Sequence, residues 1–470
     1  LKSDNVYIYF LRGCEKVELG RYEEAIADFD IGLQLNRNND LAYHAYYIRG
    51  YVYHELEYYE EAIADFDEVI KISPDDAHPY FMRGYAKDGL ERYEEAIADF
   101  DKGIQLNPDD AYVYFRRGSA KIRLERYEEA VTDFDKSIQL KSDLAESYFM
   151  RGHVKYELNQ YKNAILDFND SIKLNPDDAH AYLIRGLAKS RLEHYEEAIV
   201  DFDKSIQLNP DDAYTYCRRG STKIRLEHYE EAITDFDAGI ILAPNNAHAY
   251  FDRGRAKIGL EYYEEAIADF DKSIQLSLDD AYVYFRRGSA KIELERYEEA
   301  ITDFDKSIQL SPDQVQVYFL RGYAKYGLKQ YEEAIPDFDE TIRLKPDYAA
   351  AYNNRGHLKN KLGQYESALA DCDESIRLNF DDAWPYANRG FAKVKLGQIE
   401  SALTDCEEAI RRDPFLAEAY HTRGEAYRLL GRTQEAKADY QKALELAEQD
   451  DNQDLKTEIE QSLEELDNTE

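Results

Sequence analysis

An arginine, a lysine four residues later and an aspartate sixteen residues after the arginine recur along this chain, and their types and spacing invite a chemical reading. Arg83, Lys87 and Asp99 form one such set. The arginine returns in the same register thirteen times, from Arg12 and Arg49 through Arg389 and Arg423. The aspartate does too, from Asp28 and Asp65 through Asp405 and Asp439. The lysine recurs in eleven of the sets, with Tyr53 and Tyr427 in its place in the other two. On a helix Arg83 and Lys87 share a face. An unpaired buried charge is very costly, so each guanidinium is expected to reach its aspartate. A catalytic group acts at one place in a molecule. Thirteen copies therefore argue for architecture, a ladder of Arg–Asp contacts that fixes one helix upon the next.

Other residues capable of chemistry lead no further. Ten histidines suggest a metal, and His44, His78, His180 and His248 share one register while His194 and His228 share another. Residues in successive units stand roughly 8–10 Å apart, too far to share a zinc ion whose bonds are about 2 Å long. Cys14, Cys217, Cys372 and Cys406 form no Cys-x-x-Cys pair, so neither a metal knuckle nor a disulfide framework is expected. No nucleophile elbow, phosphate loop, HExxH or isolated carboxylate pair is present. The chain reads as non-enzymatic, with no cofactor and no metal. Its net charge of −37 argues against nucleic acid and against an anionic membrane surface, both of which need clustered Lys and Arg. No apolar run approaches the ~20 residues of a membrane span and no signal peptide opens the chain, so a cytoplasmic setting is the reading. The chain opens at Leu1 rather than Met, as a region cut from something longer would.

The elements that position the charged sets follow from the repeat itself. The glycine after each arginine falls at Gly13, Gly50, Gly84, Gly118, Gly152, Gly186, Gly220, Gly254, Gly288, Gly322, Gly356, Gly390 and Gly424. The first interval is 37 residues and each later one is 34. A period of that length marks a solenoid, whose units bury their apolar faces only by stacking. We number the units 1–13 by these glycines. In unit 3 the pattern predicts a first helix from His78 to Leu90 and a second from Glu94 to Leu106, with Ala96, Ile97, Phe100, Gly103 and Ile104 on one stripe. Asn107-Pro108 ends the second helix and Asp110 starts the next. Asp before a helix and Glu94-Glu95 in its first turn account for much of the acid. Pro79 and Pro385 fall in first turns, where a missing N–H matters little, whereas Pro336 predicts strain or a slight kink. Three extra residues in 36–42 predict a longer loop. Ser142, Leu278 and Phe380 replace the inter-repeat proline and predict softer joints. Residues 1–446 are read as the array. Residues 447–470 are read as an acidic linker and a capping helix carrying Leu455, Ile459, Leu463 and Leu466.

On Tyr80, Gly84, Tyr93, Ala96, Phe100, Gly103 and Pro108 the unit resembles the tetratricopeptide (TPR) repeat, and the likeness runs from residue 6 to about 446. Arg83 and Lys87 depart from it, since the family usually has Leu and Tyr there. The resemblance implies an all-α fold, an α-solenoid coiled as a right-handed superhelix of antiparallel helix-turn-helix repeats. It also implies that the first helices line a concave groove that binds other proteins.

A second stripe of the first helix, His78, Phe81, Met82, Tyr85, Asp88 and Gly89, is not needed by the second helix and should face that groove. Its variation between units is the informative part. Phe115, Phe149, Phe251, Phe285 and Phe319 repeat the Phe81 register, while Arg116, Arg218 and Arg286 take the Met82 register. Arg123 and Arg225 take the Gly89 register, as Arg191 does, and Arg255 takes that of Tyr85. Aromatics beside arginines dominate binding hot spots, so units 4–9 read as a groove for an apolar, partly acidic peptide. Equally, the aromatics could pack between successive first helices and the arginines could pair with nearby acids. Asn353, Asn354, His357, Asn360, Lys361, Trp384, Asn388 and Lys395 give units 11–13 a polar stripe, either a second site or plain solvation.

The leading reading is a scaffold that holds a peptide or extended protein segment. The alternatives are a regulatory or substrate-recruiting arm of a larger enzyme and a self-assembling solenoid, so the oligomeric state stays open. Enzyme-linked arrays of the family are known for an asparagine ladder, and here only Asn354 and Asn388 match it. The family's chaperone-binding clamp needs a lysine in the Phe81 register, and no unit has one.

Overall fold

The computed structural model describes residues 2–35, 40–276, 279–378, 381–450 and 452–467. Residues 36–39 of the longer loop, Leu278 and Phe380 lie outside the described residues. Among the described residues every regular element is a helix, and the helices come in tandem antiparallel pairs, an α-solenoid arrangement. The chain divides into two compact units. Leu1–Leu242 holds the pairs of repeats 1–7, and Ala243–Glu470 holds those of repeats 8–13 with a further helix, Gln453–Asp467. No described helix is long and apolar enough to cross a membrane.

Repeat 3 shows how the local sequence builds a pair. Its helices run Ala77–Gly89 and Tyr93–Leu106, each starting one residue earlier than the periodicity suggests. The Asp76 carboxylate accepts the N–H of His78 at 3.0 Å, and Asp110 accepts that of Tyr112 at 2.9 Å. Asp178, Asp212 and Asp280 cap later helices in the same way. Pro79 sits in the first turn and Glu94-Glu95 open the second helix. Between the helices the chain reverses through a residue in the left-handed region, Glu91 at φ 59°, which lets Arg92 N–H donate to the Lys87 carbonyl at 2.9 Å. That conformation usually calls for glycine, and Gly20, Gly363, Gly397 and Gly431 hold it in other repeats.

Packing follows from small residues set opposite large ones. A Cβ on Gly84 would stand 2.5 Å from the Phe100 ring, so only glycine lets the helices close. Ala96 and Phe100 are fully buried there, and the same registers are buried in the other repeats, with Cys372 and Cys406 replacing Phe in repeats 11 and 12. The second helix of repeat 10 runs unbroken from Tyr331 to Leu344 through the exposed Pro336. The hydrogen bond that proline forgoes would go to the carbonyl of Glu332, in a first turn open to water.

The charged ladder forms and reaches further than the spacing indicates. Arg83 donates from Nε to Asp99 at 2.9 Å and from Nη2 to the other oxygen of that carboxylate. Its Nη1 donates to Asp67 at 2.5 Å, and Lys87 adds its ammonium to Asp99 at 2.8 Å. Arg83 thus holds an aspartate sixteen residues ahead, in its own second helix, and one sixteen behind, in the preceding second helix, while Arg49 reaches nineteen behind to Asp30 across the longer first interval. Arg117, Arg321 and Arg355 repeat the pattern, and Arg185 uses Asn169 where the preceding aspartate is missing. The Arg83 guanidinium also lies 5.6 Å from the Tyr80 ring centre. Burial opposes charge on Arg83, but bonds to Asp99 and Asp67 outweigh it and raise its pKa. The ladder therefore joins neighbouring repeats as well as the two helices of one repeat.

Candidate functional site

In the unit Leu1–Leu242 the first-helix stripe is a mixture of buried rings and exposed guanidiniums. Phe81 is only 3% exposed and does not reach the surface, because Gly103 opposite it lets the ring sink; a Cβ there would meet that ring at 2.1 Å. Ser137 and Ser171 hold that register in repeats 4 and 5, and Phe115 and Phe149 stay half-buried. Phe115 packs 5.9 Å from Phe134, and Phe149 lies 5.8 Å from Phe168 and 5.4 Å from His180 of the next repeat. Tyr85 is half-buried, with its ring 5.4 Å from Phe100. Exposed Arg116 places its guanidinium 5.5 Å from the Tyr85 ring centre. Exposed Arg218 covers Tyr214 at 4.6 Å, and exposed Arg225 covers Tyr195 at 6.0 Å. Burial raises the pKa of Asp88, while the fields of Arg116 and exposed Arg123 pull it back. The aromatics therefore pack between helices, and the arginines lie over tyrosines with their outer faces in water.

The unit Ala243–Glu470 begins in the same way. Phe251 packs 5.8 Å from both Phe270 and Tyr282, and Phe285 stacks on Tyr282 at 5.8 Å. Arg255 pairs with Asp252 at 2.9 Å. Arg286 lies 5.9 Å from the Tyr282 ring centre, its Nε buried without an acceptor. Phe319 contacts Phe338 at 5.7 Å and Tyr348 at 5.0 Å.

From repeat 10 onward the surface deepens into a cavity of about 360 Å³ walled by Phe319, Tyr323, Tyr326 and Trp384 and floored by Asn353, Asn354, His357 and Asn388. Its polar groups form one chain. The Tyr326 hydroxyl donates to His357 Nε2 at 3.3 Å, and His357 Nδ1 donates to Asn388 Oδ1 at 2.9 Å. Asn388 Nδ2 donates to Asn353 Oδ1 at 3.1 Å, and Asn353 Nδ2 donates to Asn354 Oδ1 at 3.4 Å. The roles require a neutral imidazole, and burial lowers the pKa of His357 accordingly. Asn388 is 6% exposed and serves to orient this chain, whereas half-buried Asn354 ends it.

A second cavity of about 300 Å³ lies beside the first, sharing Tyr326, His357, Trp384 and Asn388, and one side is closed by Asn452, Asp454, Leu455 and Glu458. The helix Gln453–Asp467 sets that wall, burying Leu455, Ile459 and Leu466 against Tyr440, Ala443 and Leu446. Among the described residues no three His, Cys, Asp or Glu side chains are grouped to hold a metal ion. Tyr323, Tyr326 and Glu418 were not singled out in the sequence, although they share the informative stripe, in the registers of Tyr85, Asp88 and His78. Asp454 and Glu458 carried no signal, because they lie beyond the last repeat.

Models described as tetratricopeptide repeat match residues 10–77, 349–382 and 417–450. Another of that description matches 111–144, 145–178, 179–212, 213–246, 247–280, 315–348 and 385–415, and a TPR repeat model matches 90–125 and 288–329. No curated protein matches the chain. Among solved structures, YrrB, described as a TPR protein with an unusual peptide-binding site, is 26% identical at a TM-score of 0.37, covering 39% of this chain and 95% of that one. A TPR protein of Parabacteroides merdae is 20% identical at 0.40, covering 53% and 98%. The APC/C hetero-tetramer Cut9-Hcn1 is 13% identical at 0.41, covering 96% and 95%.

Proposed function

The chain belongs to the tetratricopeptide repeat family, a family of protein-interaction scaffolds, and from that premise we propose that its first-helix faces hold an extended or helical segment of another protein. The observation that carries this reading is the row of exposed guanidiniums lying over tyrosine rings, Arg116 on Tyr85, Arg218 on Tyr214 and Arg225 on Tyr195, in a chain of net charge −37. A guanidinium stacked on a ring keeps edge donors free for a carboxylate, as Arg225 does with its Nη groups while its Nε donates to the Tyr195 hydroxyl at 3.4 Å, and the ring gives apolar area beside it. The segment that fits alternates acidic and apolar side chains. The rings of Phe115, Phe149, Phe251, Phe285 and Phe319 stiffen the wall rather than insert into the partner. In this reading residues 1–446 form the binding array, and within residues 447–470 the helix Gln453–Asp467 shields the last helix pair from water.

The test is capture from an array of peptides by the full chain, compared with the triple variant Arg116→Ala, Arg218→Ala, Arg225→Ala. Loss of binding to acidic-apolar peptides, with the helix content unchanged, is the expected result. Equal affinity of the folded variant for the same peptides would end the proposal.

A further inference from the structure

The cavity beneath the helix Gln453–Asp467 has a charge pattern that the reading above does not use. Two ammonium groups reach it, and each is already matched by a carboxylate of that helix: Lys329 sits 2.6 Å from Asp454, and Lys361 sits 3.8 Å from Glu458. Glu418, on the first helix of repeat 13, lines the same cavity, and no described cation stands within ion-pair distance of it. Burial raises the Glu418 pKa, outweighing a hydrogen bond from its own backbone N–H and the field of Lys361. His421 beside it adds no compensating charge, since burial lowers its pKa.

An independent observation points the same way. Asn360 lines the cavity at 5% exposure, and its Oδ1 has no donor. The amide cannot be turned to cure this, because its Nδ2 donates to the Asn388 carbonyl at 2.8 Å and a flip would set two oxygens against each other. A buried acceptor left without a donor is destabilising, so a ligand that supplies one gains by it. Trp384, Tyr326 and Phe391 supply aromatic walls. A lone carboxylate, an unsatisfied carbonyl oxygen and aromatic rings together make an environment for a cation rich in N–H donors. At about 300 Å³ the space takes an aminobutyl chain with room for ordered water.

We propose that this cavity binds a primary ammonium group, the side chain of a lysine presented by the partner segment. The inference rests on the reading that a protein segment lies along the first helices, and it names one residue that segment carries. Around the cavity three carboxylates, Glu418, Asp454 and Glu458, stand against two ammonium groups, Lys329 and Lys361, and this local excess draws one cation from an otherwise acidic and apolar segment. The lysine then replaces water at Glu418 and gives Asn360 Oδ1 its donor.

Trp384 is the chain's one tryptophan, so its fluorescence reports the site directly. The full chain is titrated with Nα-acetyl-lysine N-methylamide, with the norleucine and glutamate analogues, and with alanyl-alanine amide, which presents an α-ammonium. The expected result is a saturable emission change with the lysine compound and at least tenfold weaker response to each of the others. Glu418→Gln should weaken the lysine compound at least tenfold with the far-ultraviolet spectrum unchanged. The proposal is overturned by no saturable change, by equal response to norleucine, by preference for glutamate or the α-ammonium, or by unaltered binding in Glu418→Gln. Should that variant misfold, the wild-type compound series decides alone. Because the lysine compound is a single residue, this titration can succeed where peptide capture by the arginine face fails, and the reverse.

Discussion

Replacing Arg151 by alanine tests the ladder at one rung. Arg151 donates to Asp167 at 3.1 and 2.5 Å and to Asp135 at 2.6 Å. Asp167 is 3% exposed, whereas more than half of the Asp135 side chain is open to water. Losing a buried pair costs about 3–5 kcal/mol when one charge is left alone. Here Lys155 stays 2.7 Å from Asp167, so the carboxylate keeps one partner and the low end, about 3 kcal/mol, is expected. Asp135→Ala removes a single exposed contact and should cost below about 1 kcal/mol. Hydrogen exchange corrected for intrinsic rates is the suitable assay, because a repeat array shares destabilisation only with its neighbours. Protection of amides in 145–174 should fall by about a hundredfold in Arg151→Ala, the equivalent of that loss. Asp167→Ala should act on the same amides, and the double variant should show strong coupling. If Arg151→Ala changes protection less than threefold, or Asp135→Ala matches it, the ladder does not hold the repeats together as argued.

Gly103→Ala should destabilise repeat 3 by about 1–3 kcal/mol, the range for overpacking, because its Cβ would stand 2.1 Å from the Phe81 ring; an unchanged urea midpoint for the local transition would contradict this. Cys372 and Cys406 are buried, with burial pushing their pKa up to about 12, so a thiol reagent should modify Cys14 and Cys217 first and those two only after unfolding. Early labelling of Cys372, read by peptide mass, would show that its repeat opens. His357 has a folded pKa below its ordinary 6.5, so the unfolded chain binds more protons near that value and stability from this ring is lost as pH falls through it. The stability difference between wild type and His357→Gln should therefore narrow between pH 7.5 and 5.5; a constant difference would mean the ring is not held neutral.

The repeat, its helix pair, the Asp caps and the first Arg–Asp contact were legible in the sequence, because each depends on residues within one 34-residue period. Local chemistry repeated thirteen times leaves little to ambiguity. The second arm of the ladder, Arg83 to Asp67, was not legible, since it depends on how far one pair is displaced against the last. Phe81 reads like Phe115, yet one sinks and the other stays half-buried, and the deciding residue, Gly103 or Ser137, lies on another helix. The turn residue Glu91 gave no hint of its left-handed backbone, although Gly20, Gly363, Gly397 and Gly431 in the same register carried one.

The candidate cavity marks the limit most clearly. Asn353, His357 and Asn388 could be placed on one stripe from their spacing, but the hydrogen-bond chain among them needed coordinates. Glu418 looks like any exposed helix-start residue until the helix Gln453–Asp467 folds over it. Sequence fixes what neighbours along the chain do, through propensity and period. Which distant side chains share a volume, and which of them lack a partner there, is settled by packing alone.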